Sequence, residues 1–135
     1  MKIVSYMAVV ACLLLSACAD FQPAKTGSIG GYQLQLKSDP APLKVGSKAS
    51  IEFSIRDGIN QPVDGCVVRF RQYMPGHEMS LDKVFVLMVD EAKVGIYEAD
   101  SGEFSMGGEW VLEFDFICGA DHYSFPFDFK LEWPE

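Results

Sequence analysis

Beyond residue 28 apolar and polar residues alternate along nearly the whole chain, and this period of two restricts the possible folds more than any other feature. Tyr32, Leu34 and Leu36 alternate with Gln33 and Gln35, and Ile51, Phe53 and Ile55 with Glu52 and Ser54. Cys66, Val68 and Phe70 alternate with Val67, Arg69 and Arg71. Trp110, Leu112, Phe114, Phe116 and Cys118 alternate with Val111, Glu113, Asp115 and Ile117, and Tyr123 to Leu131 repeats the pattern with five more apolar positions. Successive side chains of a strand point to opposite faces, so each run offers one face to a core and one to water. Weaker runs at 83–89 and 94–99 add two further strands. Turn formers fall between them, as in Asp39-Pro40-Ala41-Pro42, Arg56-Asp57-Gly58, Met74-Pro75-Gly76 and Gly119-Ala120-Asp121. No stretch after the first 17 residues keeps a helical period for more than two turns. Seven short strands at this spacing predict an all-β antiparallel sandwich.

The start of the chain is different. Lys2 precedes an apolar block from Ile3 to Ala17 that ends at Cys18, the pattern of a secretory signal too short to span a membrane comfortably. Leu15-Ser16-Ala17-Cys18 resembles the bacterial lipobox, in which the cysteine is acylated and becomes the first residue of the mature protein. The expected organisation is therefore a signal peptide over 1–17, a lipid-anchored tether over 18–28 that is rich in small and polar residues, and a β-sandwich domain over 29–135. Ala19 follows the anchoring position where an Asp would favour inner-membrane retention, so the expected address is the outer membrane, facing the periplasm.

Without residues 1–17 the chain carries ten basic against 19 acidic side chains. Such a surface repels phosphate backbones and excludes nucleic acid as a partner on electrostatic grounds.

Several pieces, in order, resemble a known family. They are Gly31-Tyr32-x-Leu34-x-Leu36, Asp39-Pro40-x-Pro42-Leu43-x-Val45-Gly46, Pro62-Val63-x-Gly65, Met74-Pro75-Gly76-His77-x-Met79, Gly95-x-Tyr97 and Phe104-x-Met106-x-Gly108-x-Trp110. Together they resemble the YtkA-like domain of small exported proteins, related to the FixH-type accessory module of copper oxidases, over roughly residues 28–131. The resemblance implies an immunoglobulin-like sandwich and a connection with periplasmic copper handling. Two features depart from the family pattern: His77 and Glu78 stand in a motif that often carries mainly Met, and the pair Cys66 and Cys118 is not called for.

The motif also has chemistry of its own. Pro fixes φ near −65° and Gly accepts positive φ, so Met74-Pro75-Gly76-His77 fits a type II turn that brings Met74 and His77 close. In an extended continuation Met79 lies on the same side as His77. Thioethers are soft and have no proton to lose, which suits Cu(I), and imidazole adds a stronger nitrogen donor. If the strands 66–73 and 109–118 are antiparallel neighbours, Met106 joins them at one end of the sandwich. The expected Cu(I) ligands are thus Met74, His77, Met79 and Met106. The competing reading is that these methionines fill the core and His77 is a solvated loop residue. Met88 reads as a core residue, Glu78 as a loop charge, and His122 as a loop histidine remote from Met74.

Of the four cysteines, Cys12 leaves with the signal and Cys18 is lipidated. Cys66 and Cys118 remain in an oxidising compartment, on the apolar faces of neighbouring strands, and are expected to form a disulfide in preference to staying as buried thiols. No phosphate-binding glycine loop, Gly-x-Ser-x-Gly, His-Glu-x-x-His or Cys-x-x-Cys occurs, and Glu113 with Asp115 reads as solvent-face charge. The sequence therefore predicts a non-enzymatic, lipid-anchored domain that binds or delivers copper. The alternative is an interaction module for an envelope complex that binds no metal.

Overall fold

The alternating runs form strands in the computed structural model, which describes residues 25–77, 83–89 and 91–134. The strands are β1 (Lys25–Ile29), β2 (Tyr32–Asp39), β3 (Ser50–Arg56), β4 (Val67–Tyr73), β5 (Val84–Val89), β6 (Ile96–Asp100), β7 (Gly108–Cys118) and β8 (Asp121–Leu131). Every pairing is antiparallel, and the spatial order is β1-β2-β3-β6-β5-β4-β7-β8. β1, β2, β3 and β6 make one layer; β4, β7 and β8 make the other. β5 belongs to both, because Val84 to Leu87 pair with β4 while Met88 and Val89 pair with β6. The result is the all-β, immunoglobulin-like sandwich expected from the alternation and the resemblance.

The apolar faces meet between the layers. Ile51, Phe53 and Ile55 of β3 are buried against Phe114 and Phe116 of β7 and Phe127 of β8. Phe53 stacks on Phe114 with ring centroids 4.4 Å apart, and Phe70 stacks on both Phe85 and Phe114. Aromatic contacts of this kind add about 0.5 to 1.5 kcal/mol each beyond the area they bury. Tyr97 lies in the same core, and its hydroxyl donates to the Val63 carbonyl and accepts from the Cys66 backbone N–H. Burial, with the nearby Asp64 charge, pushes that phenol upward against the opposing effect of the Cys66 N–H.

Cys66 and Cys118 form the disulfide expected from the sequence. The bond continues the β4–β7 register, in which Val67 faces Ile117 and Tyr73 faces Val111.

Among the described residues there are eight strands instead of about seven. The additional one, β1, includes Lys25 to Ser28, which the sequence assigns to the tether. Its Lys-Thr-Gly-Ser composition carries no apolar period, but backbone pairing needs none: Lys25 faces Leu36 and Ile29 faces Tyr32. Gly27 makes room for the ring of Phe125, since a Cβ there would stand 2.4 Å from it.

The strand connections fall at two ends. The 40–49 and 101–107 loops, the turn after β4, the start of β1 and the end of β8 share one end. The 57–66 and 91–95 loops and the β1–β2 and β7–β8 turns share the other.

Candidate functional site

β4 ends at Tyr73, where Pro75 cannot supply a ladder N–H and the chain turns. Gly76 has φ of +77°, and the His77 N–H donates to the Met74 carbonyl at 3.2 Å, which is the type II turn that the four residues predict. The turn holds the two residues together in the backbone but sends their side chains to different surroundings. His77 is exposed. Met74 is 4% exposed and packs in the core, where a Cβ at position 108 would lie 3.0 Å from its Cε. Glycine at 108 is what leaves space for that methyl group.

Met106 sits in the loop before β7 and is 41% exposed. Its carbonyl accepts a hydrogen bond from the Trp110 indole N–H at 2.9 Å, which fixes the loop to the buried ring. Since Tyr73 faces Val111, the Met74 turn and the Met106 loop lie at one end of the sandwich. Met79 and Glu78 fall outside the described residues, as do Cys18 and residues 1–17. A recess of about 340 Å³ adjoins the turn, between Pro75, Trp110, Phe129 and Lys25. Among the described residues no three His, Cys, Asp or Glu side chains gather as a metal site. The turn and the Met106 loop contribute thioether and imidazole donors to this end.

Met88 differs from its expected place in the core and is 71% exposed. The reason is the passage of β5 between layers: Leu87 is buried against β4, and the strand then turns to β6, so Met88 and Val89 both face out. Met88 closes a cross-strand row with Lys37, Glu52 and Glu98. This row lies in a groove of about 470 Å³. Glu52 and Glu98 face each other, and Lys93 offsets their repulsion with its ammonium 2.9 Å from Glu98 and 4.0 Å from Glu52.

Asp115 also differs from its reading as solvent-face charge. It is on the outer face of β7, yet only 8% exposed, because three side chains close over it. Arg69 Nε donates to Oδ2 at 2.9 Å, Ser124 Oγ donates to Oδ1 at 2.9 Å, and His122 Nε2 lies 2.6 Å from Oδ1. Burial pushes this carboxyl upward, but the hydrogen bonds from His122, Arg69 and Ser124 outweigh it, and the net shift is downward. His122 lies at the opposite end from Met74, as expected, but it is bound to Asp115 instead of merely solvated. The signal in the sequence was register: Arg69, Asp115 and Ser124 occupy one cross-strand row. Ser124 bonds the carboxylate and not the imidazole, so this trio lacks the Ser–His hydrogen bond of a nucleophilic relay.

Among solved structures the chain is similar to a DUF4785 family protein from Legionella pneumophila subsp. pneumophila str. Philadelphia 1. The identity is 20% and the TM-score 0.49, and the similarity covers 77% of this chain and 29% of that one. No curated protein matches the chain. A family model described as YtkA-like matches residues 28–115. Those residues include the Met74–His77 turn, the Met106 loop and the β4–β7 pairing that joins them, and the chain belongs to the YtkA-like family.

Proposed function

We infer that this domain is a lipid-anchored, periplasm-facing protein that binds or delivers Cu(I) at the end formed by the Met74–His77 turn and the Met106 loop. The observation that carries the reading is the β4–β7 register, which brings a buried thioether, an exposed thioether and an exposed imidazole to one end of the sandwich. His77 and Met106 are open to an incoming ion. In this reading Met74, buried at the same end, supplies a further thioether, and Met79 follows His77 by two residues. Thioethers favour the soft cuprous ion over commoner hard ions, and imidazole adds affinity. The buried disulfide suits an exported protein in an oxidising compartment. Cys18 supplies the anchor in this reading, and no reaction is assigned to the domain.

Competition for Cu(I) against a chromophoric chelator tests the metal assignment. The wild-type domain should withdraw copper from the chelator, and His77→Ala and Met106→Leu should each weaken that competition at least several-fold. Equal and poor competition by all three proteins would contradict it.

A second reading has its own observation. Met74 is a core residue, and Val86, Met88 and Val89 form an exposed apolar ridge along β5. Ridges of this kind mark interaction surfaces. A metal-free assembly module of the cell envelope is therefore the result that failed copper competition would support.

A further inference from the structure

We propose that the end of the sandwich carrying Lys25, Met106 and Trp133 rests on a lipid headgroup surface, with the Trp133 indole at the interface. This rests on the lipid anchor at Cys18, and because Met106 is also a proposed copper ligand its test reads Trp133 with no copper added.

The first argument is where the chain enters the domain. β1 begins at Lys25, at the end shared by the Met74 turn, the 101–107 loop and the end of β8. Seven residues, Cys18 to Ala24, separate the anchoring position from this point. Fully extended they span at most about 25 Å, less than the length that would let the opposite end approach the bilayer freely. A short tether also makes contact intramolecular, so a weak surface affinity suffices to hold the face down.

The second argument is what this end displays. Trp133 is 60% exposed and is the one aromatic among the exposed large apolar side chains of the described residues. One side of its indole lies on the backbone of Gly107, where a Cβ would stand 2.5 Å from the ring. Glycine at 107 therefore acts as a seat that leaves the other side of the ring outward, next to the exposed Met106. Tryptophan side chains suit the boundary between headgroups and acyl chains.

The third is charge. Lys25, Lys44, Lys48, Lys83 and Lys130 are exposed in the loops and strand ends of this side, and their stems can lie along an interface with the ammonium in the headgroups. Asp39, Asp100, Glu103, Glu109 and Glu132 share the end, so orientation comes from the tether and indole, while the lysines supply the contacts to anionic headgroups. The opposite end also exposes Ile59, Val67 and Val94, but beside Asp57, Asp64, Glu91 and Asp121 as well as Arg56 and Lys93, and away from the tether.

The test uses the full lipidated chain reconstituted into phosphatidylethanolamine–phosphatidylglycerol vesicles, with and without brominated acyl chains. Trp110 is buried in the core, so Trp133 is the reporter. The expected result is flotation with the vesicles, a blue shift of emission and quenching by the brominated lipid, with the quenching abolished in Trp133→Phe. Flotation with identical emission in plain and brominated vesicles would overturn the orientation and leave the anchor intact. Failure to float would remove the anchor itself and the proposal with it.

Discussion

Asp115 holds three partners with one carboxylate, and its contribution can be read from pH. Asp115→Asn should lower stability at pH 7 by about 1 to 2 kcal/mol in urea unfolding, at the modest end because Arg69 and His122 both face water. The folded carboxyl sits below its ordinary value. Its contribution is therefore complete above the unfolded value of about 3.9 and is lost as the pH falls through the folded one. The gap between wild type and Asp115→Asn should close in that acid window, and a gap that persists there would contradict the assignment. The residues proposed as metal ligands divide between core and surface. Met74→Ala should cost about 2 to 5 kcal/mol by emptying a core position, and Met74→Leu less than about 1.5 kcal/mol while still removing the sulfur. His77→Ala should leave stability within about 0.5 kcal/mol. At this scale the sequence shows which residues share a turn, because Pro75-Gly76 determines it locally. It does not show that Met74 points inward, which depends on Gly108 thirty-four residues later.

Among the elements, the disulfide and the turn before β6 can be tested most directly. The Cys66–Cys118 bond has a sequence separation of 52, and a loop of that length corresponds to about 4 kcal/mol in the chain-entropy model. Replacing both cysteines by alanine should lower the unfolding free energy by an amount of this order, measured by urea titration under non-reducing conditions. Gly95 enters β6 at φ +73°, with an alanine Cβ placed 2.7 Å from Pro62 Cβ and 3.1 Å from the Ile55 carbonyl oxygen. Gly95→Ala should cost about 2 to 3 kcal/mol. The strands with clean alternation, β2, β3, β4, β7 and β8, are legible because burial of one face imposes a period of two. β1 is not, because an edge strand held by backbone pairing has no apolar pattern to show. β5 is legible as a strand but not in its faces, since a strand that changes layers at Leu87 breaks its own alternation and turns Met88 outward.

For the whole molecule, two antiparallel layers and a register fixed by β4 and β7 bring loops from distant parts of the sequence to one end. The sequence carried this placement through a single condition, that the strands ending at Tyr73 and beginning near Trp110 are neighbours, and the register meets it. The entry of the chain at that same end follows from β1 and was hidden with it. The central claim, a cuprous site at this end, is tested most directly by proton–carbon NMR of methionine methyl groups during Cu(I) titration. Met74, Met79, Met88 and Met106 are the methionines after residue 17, and Met88 lies outside the proposed site as an internal reference. The account predicts that the Met74, Met79 and Met106 methyl signals shift together and saturate near one equivalent while Met88 stays in place. Shifts confined to Met88, or none at all, would contradict it.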